Sequence, residues 1–198
     1  MIDQKEAEHE WLRLARDGDY DAFEALHTSL EPALTRFVGR LIGDNREVED
    51  IVQDTCIALY KNLNKIDPVE NLRPYVFRIA RNRCYDILRK QGRVNEVSMD
   101  DDPVQVRVSF NISQECVQPE DAAHWMLLHM EVQEAMENLP ENQRQALILY
   151  SEEEMTYAEI AGVMDVSIGT IKSRLFHAKK NLRGLLRPDT LCAIERYL

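Results

Sequence analysis

Residues 155–187, MTYAEIAGVMDVSIGTIKSRLFHAKKNLRGLLR, hold two apolar-periodic segments separated by a three-residue break, and no other part of the sequence constrains the fold as much. Tyr157, Ile160, Ala161 and Met164 recur at helical spacing, Asp165-Val166-Ser167 interrupts them, and Ser167 is a good N-cap for the second segment. In that segment Ile168, Ile171, Leu175, Ala178 and Leu182 form one stripe, so this helix buries that face and leaves the other for a partner. The outer face presents Thr170, Ser173, His177 and Lys180, flanked by Lys172 and Arg174. From Ile168 to Arg187 there are six Lys or Arg and no Asp or Glu. Such a helix-turn-helix, with small hydroxyl donors and Arg near the start of its basic second helix, suits base edges and phosphates in a DNA major groove. A merely solvated basic helix carries the same charges, so the remainder of the chain has to discriminate.

The formal charge of −11 argues at first against a nucleic-acid partner, which needs cations against phosphates. The distribution answers the objection. Arg73 to Arg93 is net +6, Ile168 to Arg187 is again +6, and Arg93 to Asn138 is net −8. Basic faces therefore flank a strongly acidic middle. With 198 residues and 44% hydrophobic content, the chain is long enough for two modest cores. It has no apolar run of membrane-spanning length, and MIDQKEAEHEWLRL is charged where a signal peptide is apolar, so a soluble intracellular protein is expected. Cys56, Cys84, Cys116 and Cys192 are scattered without a CxxC pair, the pattern of unpaired thiols in a reducing compartment, and no zinc site is indicated.

Helical periodicity runs from about Glu8 to Gln91 through Trp11–Leu14, Ala22–Leu26, Leu34–Ile42, Val48–Leu63 and Pro74–Leu88. Gly18, Gly43-Asp44-Asn45 and Asp67-Pro68 supply breaks. From Gly92 to about Pro119 no period persists; VQVRVSF is better read as extended linker than as an unpaired strand. Helical period resumes from Glu120 with Trp125, Leu128, Val132, Met136 and Leu139, and Pro140 opens a helix containing Ala146–Tyr150. The expected fold class is all-α, with two small helical domains joined by an acidic linker: residues 8–92, a linker at 93–119, residues 120–187, and a short tail at 188–198 that suits an amphipathic helix.

Two helices of the first module carry chemistry. In VEDIVQDTCIALYKNL, Ile51, Thr55, Leu59 and Leu63 point inward while Glu49, Asp50, Gln53 and Asp54 cluster outside near the first turns. That placement satisfies the helix dipole or forms a docking patch for a basic protein surface. In PYVFRIARNRCYDILRK, Val76, Ala80, Cys84 and Ile87 face inward, Phe77 and Leu88 sit at the margins, and Arg78, Asn82, Tyr85 and Arg89 share the opposite face. Cations interleaved with an amide and an aromatic suit melted nucleic acid, whose bases stack and expose their edges.

In order and spacing these motifs resemble the bacterial extracytoplasmic-function (group 4) sigma factors of the sigma-70 family, over most of residues 10–91 and 120–185. DGDYDAFEALH resembles the start of region 2, VEDIVQDT its core-binding segment, PYVFRIARNRCYDILRK its −10 reader, and LPENQRQALILY through SIGTIKSRLFHAKKNL region 4. The resemblance implies a promoter-specificity subunit, neither an enzyme nor cofactor-dependent. Glu49, Asp50, Gln53 and Asp54 would then dock the clamp helices of the RNA polymerase core, whose flap is a further contact. Tyr75, Arg78, Asn82, Tyr85 and Arg89 would meet the −10 element. The segment 62–71 would pocket a flipped base between Asn62 and Ile66, and Ser167, Thr170, Lys172, Ser173, Arg174, His177 and Lys180 would meet the −35 element. The acidic linker would thread polymerase channels that nucleic acid later occupies. An anti-sigma factor, often at the inner membrane, would hold the cytoplasmic protein inactive. The sequence departs from the family pattern at Tyr75, usually Trp, at Cys56, usually aromatic, and at His177, commonly Arg.

A helix-turn-helix repressor or activator binding duplex operators without polymerase is the main rival, and a helical adaptor a weaker one. The acidic patch, the melted-strand face and the tether count against the first; the basic helix counts against the second. An enzyme fits least, since His9, His27, His124, His129 and His177 have no metal-ligand or triad partners in the pattern and no Gly-rich phosphate loop occurs.

Overall fold

The computed structural model describes residues 4–43, 45–91 and 122–194, and among them every regular element is helical. The expected linker at 93–119, VQVRVSF included, lies outside the described residues. Contacts divide the chain into two compact units, residues 1–99 with 158–165 and residues 100–157 with 166–198.

In the first unit α1 (Gln4–Arg16), α2 (Tyr20–Ile42), α3 (Asn45–Lys61) and α4 (Leu72–Lys90) form a bundle, with two single 3₁₀ turns, Leu63–Lys65 and Val69–Asn71, between α3 and α4. The helix α2 starts where Asp19 accepts a hydrogen bond from the Ala22 amide at 3.0 Å, and it ends at Gly43, whose φ of 71° only glycine adopts without strain. The sequence suggested two helices here, and the structure joins them into one that runs through Pro32. Proline inside a helix removes one hydrogen bond and costs about 3 kcal/mol. Against that, α2 buries Leu26, Leu30, Leu34, Phe37, Val38 and Leu41 along one face, at roughly 1.5–3 kcal/mol each. At the centre Phe37 of α2 and Phe77 of α4 meet edge to face, ring centroids 5.2 Å apart, and both are fully buried. Phe77 and Leu88 are thus core residues rather than marginal ones, while Ile87 is only half-buried. The α4 stripe is rotated toward α2, a helix the pattern of α4 alone does not contain.

The remaining helices are α5 (Ala122–Glu137), α6 (Glu141–Ser151), α7 (Tyr157–Met164), α8 (Ile168–Leu185) and α9 (Pro188–Ile194), of which α7 falls almost wholly among residues 158–165. In the second unit α8 packs along α6, and Asn181 Nδ2 donates to Gln143 Oε1 at 2.8 Å. Ile171, Leu175, Ala178 and Leu182 are buried as the spacing predicts. Ile168 is 46% exposed, contrary to the expected stripe, because the first side chain of a helix leans back over its N-terminal turn. The tail forms α9, tied down by one carboxylate. Glu131 of α5 accepts from the Arg187 amide, from Arg187 Nε and Nη2, and from the buried Thr190 hydroxyl, at 2.6 to 2.8 Å. The hydrogen bonds from Arg187 hold the Glu131 carboxyl down at about 2.

Cys56 and Cys84 are buried thiols, and burial pushes the Cys56 thiol up to about 11.

Candidate nucleic-acid interface

Helix α4 carries the first cationic surface. Arg78, Asn82 and Arg89 are exposed on it, and Tyr75 and Tyr85 are half-buried. The Arg78 guanidinium lies 5.8 Å from the Tyr75 ring centroid, and Arg81, which the spacing of the outer face does not single out, lies 4.5 Å from that of Tyr85. Guanidinium planes beside rings make a surface on which a base can stack while its edge meets Asn82. Arg89 sits 3.6 Å from Asp86, both largely exposed, a pair too solvated to hold the cation against a phosphate.

Between α3 and α4 the chain adopts a period of three. Leu63, Ile66, Val69 and Leu72 are all buried, with Asn64, Lys65, Asp67, Glu70 and Asn71 outside. Each of the two 3₁₀ turns opens on a buried residue, Leu63 and Val69, and the extended Ile66 between the turns is buried with them. This corrects one expected base contact: Ile66 is 1% exposed and its side chain belongs to the core. Asn62 is half-buried and its Nδ2 donates to the Ala58 carbonyl at 2.8 Å, which leaves its Oδ1 as the acceptor.

On α3, Glu49, Asp50, Gln53 and Asp54 are all exposed, opposite the buried Val48, Ile51, Val52, Thr55 and Leu59. The Thr55 hydroxyl is satisfied inside the helix by the Ile51 carbonyl at 2.7 Å. Asp54 accepts from Arg83 Nη1 of α4 at 2.6 Å, and Arg83 Nη2 reaches the Asp54 carbonyl at 3.3 Å. The acidic patch and the basic helix are therefore joined by an ion pair that helical periodicity gives no sign of.

Helix α8 carries the second cationic surface. Ser167 caps it, accepting from the Thr170 amide at 3.1 Å, and the two hydroxyls lie 2.9 Å apart. Ser167, Lys172, Ser173 and Lys180 are exposed, and Thr170, Arg174 and His177 are half-buried. Phe176, 45% exposed beside His177 with ring centroids 5.4 Å apart, adds an apolar surface that sequence reasoning missed; an aromatic between Leu175 and His177 was the available signal. The Lys179 ammonium is 4.9 Å from the Tyr150 ring centroid, and Arg187 is tied to Glu131.

Among the described residues, no group of His, Cys, Asp and Glu is arranged to hold a metal ion, and no helix is long and apolar enough to cross a membrane. Residues 26–94 match the family model for sigma-70 region 2, and residues 129–182 match that for sigma-70 region 4. The chain is 31% identical to the ECF RNA polymerase sigma factor SigM of Bacillus subtilis, over 76% of its own length and 86% of that protein's. It is 30% identical to the ECF RNA polymerase sigma-E factor of Salmonella typhimurium, over 86% and 90%. Among solved structures, the sigma factor RpoE of Bartonella quintana, in complex with the anti-sigma factor NepR, superimposes with a TM-score of 0.61 and 31% identity, covering 84% of this chain and 98% of that one. CnrH, in complex with the cytosolic domain of CnrY, gives a TM-score of 0.63 at 22% identity over 90% and 96%, a likeness of fold alone.

Proposed function

The chain belongs to the extracytoplasmic-function sigma factors of the sigma-70 family, and we propose from that premise how its residues divide the recognition of a promoter. As a member it is a promoter-recognition subunit of RNA polymerase. We assign it to group 4 and regard it as non-catalytic and cytoplasmic.

Residues 8–92 act as region 2. Glu49, Asp50, Gln53 and Asp54 dock the clamp helices of the polymerase core, and the Tyr75, Arg78, Asn82, Tyr85 and Arg89 face of α4 meets the melted −10 strand. Asn62 contributes an amide to a pocket for an extruded base, an event that costs a few kcal/mol and is repaid by stacking and edge contacts. Residues 120–187 act as region 4, placing Ser167, Thr170, Lys172, Ser173, Arg174, His177 and Lys180 against the −35 major groove, with the flap of the core as further partner. Residues 93–119 form the acidic linker that threads the polymerase channels. An anti-sigma factor restrains the protein when it is not needed. The complex of the 31% identical RpoE with NepR supports such a partner here.

One observation carries the reading: an exposed acidic patch on α3 and a cationic aromatic face on α4 occur in one small bundle. A repressor that binds duplex operators alone has no need of either. Run-off transcription from a genomic promoter library, with core polymerase and with or without this chain, tests it. Selective initiation at a shared pair of −35 and −10 sequences is the expected result, and duplex binding without any effect on the polymerase would favour the repressor.

A further inference from the structure

Helix α1 contributes no residue to the polymerase-docking patch or to either DNA-facing surface, yet it holds both ends of the segment that precedes α4. At one end Arg16 Nε donates to the Leu63 carbonyl at 3.1 Å. At the other end Arg73, the second residue of α4, donates through Nε and Nη2 to the two carboxylate oxygens of Glu8, at 2.8 and 2.9 Å. The Ser29 hydroxyl of α2 donates to the same carboxylate at 2.8 Å. Glu8 is 1% exposed, so this ion pair is out of water. Glu8, Leu12 and Arg16 lie along one i, i+4 row of α1, with Leu12 fully buried between the two polar ties. Eight residues of helix set those ties about 12 Å apart.

Stability alone does not account for the arrangement. A buried ion pair is seldom worth more than apolar side chains of the same volume, because the desolvation of both charges offsets their attraction. What a bidentate guanidinium–carboxylate pair supplies is fixed geometry. Here the geometry fixed is that of residues 63–73, whose outer positions are polar apart from Pro68 and whose end launches Tyr75 and Arg78.

We propose that α1 is a brace for the base-reading segment, with Glu8 and Arg16 as positioning residues that hold residues 63–73 in the shape that accepts an extruded promoter base. This rests on the assignment of that segment and α4 to the −10 element. Neither residue touches DNA; each acts through the backbone or cation it holds. Rigid placement of a pocket matters because stacking and edge contacts fall away when the wall shifts by about 1 Å.

The test uses holoenzyme assembled from the full chain and core polymerase, with a fluorescein-labelled fork-junction promoter fragment carrying a single-stranded −10 region. Abasic sites are introduced one at a time along that strand. Wild-type holoenzyme should lose about tenfold in affinity at the position of the captured base, the scale of one stacked base. R16Q should bind the intact strand about tenfold more weakly and lose less than threefold further at that abasic site, since the pocket is already misplaced. E8Q should behave alike. Melting temperature and binding to a −35 duplex should stay within error of wild type for R16Q, which carries the test alone if E8Q fails to fold. Losses that simply add, with the full abasic penalty retained in R16Q, overturn the brace while leaving the −10 assignment standing. A wild-type holoenzyme indifferent to every abasic site overturns both.

Discussion

Asp54 stands on an exposed face of α3, yet its carboxylate already accepts a hydrogen bond from Arg83 Nη1 at 2.6 Å, so any role in docking the polymerase involves exchange of one cation for another. Both side chains are partly in water, at 57% and 36% exposure, and a pair of that kind contributes about 0.5 kcal/mol or less. Exchange is therefore cheap. D54K should abolish association with core polymerase in a pull-down while shifting the melting temperature by no more than a few degrees. R83A, which leaves the carboxylate unengaged, should retain association. Equal loss in both variants would show that Asp54 serves α4 rather than the polymerase. At the same scale Ile66 is instructive: the family resemblance implies a base contact there, and the fold buries its side chain in the core with Leu63, Val69 and Leu72.

At the scale of the element, α9 is held by Glu131 of α5, and this fixes a pH dependence. The Glu131 carboxyl is lowered from 4.5 to about 2 in the folded protein, mainly by the hydrogen bonds from Arg187. A depressed carboxyl stabilises the fold at pH values above its unfolded pKa, and that contribution fades as pH falls from there toward the folded value. Wild type should therefore melt about 4 °C above E131Q at pH 6, and the gap should close as pH falls through 4 toward 2 in thermal melts followed by circular dichroism. A gap that is unchanged at pH 3 would mean that the carboxylate charge is irrelevant to α9. The neighbouring α8 shows the reverse relation between pattern and outcome: its cap at Ser167 and its buried face from Ile171 to Leu182 follow directly from residue spacing.

For the whole molecule, the segregation of charge matters more than the total of −11. Each phosphate neutralised releases condensed counterions, so holoenzyme affinity for a promoter should fall steeply between about 50 and 200 mM salt, by roughly 0.9 logarithmic units per tenfold salt for each contact. K180A should weaken binding at all promoters alike and reduce that slope by about one. Fluorescence anisotropy across a salt series measures both, and an unchanged slope would remove Lys180 from the phosphate-contacting set.

The sequence by itself determined what short-range periodicity encodes. The helices, the breaks at Gly18 and Gly43, the cap at Ser167 and the outward acids of α3 all come from spacings of three and four residues and from local backbone demands. Only the tertiary structure decided which distant residues meet. Arg73 and Glu8 are 65 residues apart, Arg187 and Glu131 are 56 apart, and Arg83 and Asp54 are 29 apart. None of these pairs leaves a trace in the local sequence pattern, because a charged residue reads the same whether it faces water or a partner brought in by another helix. The core position of Ile66, the rotation of α4 that buries Phe77, and the continuity of α2 through Pro32 have the same origin: packing against neighbouring helices outweighs local preference, and packing is a property of the folded chain.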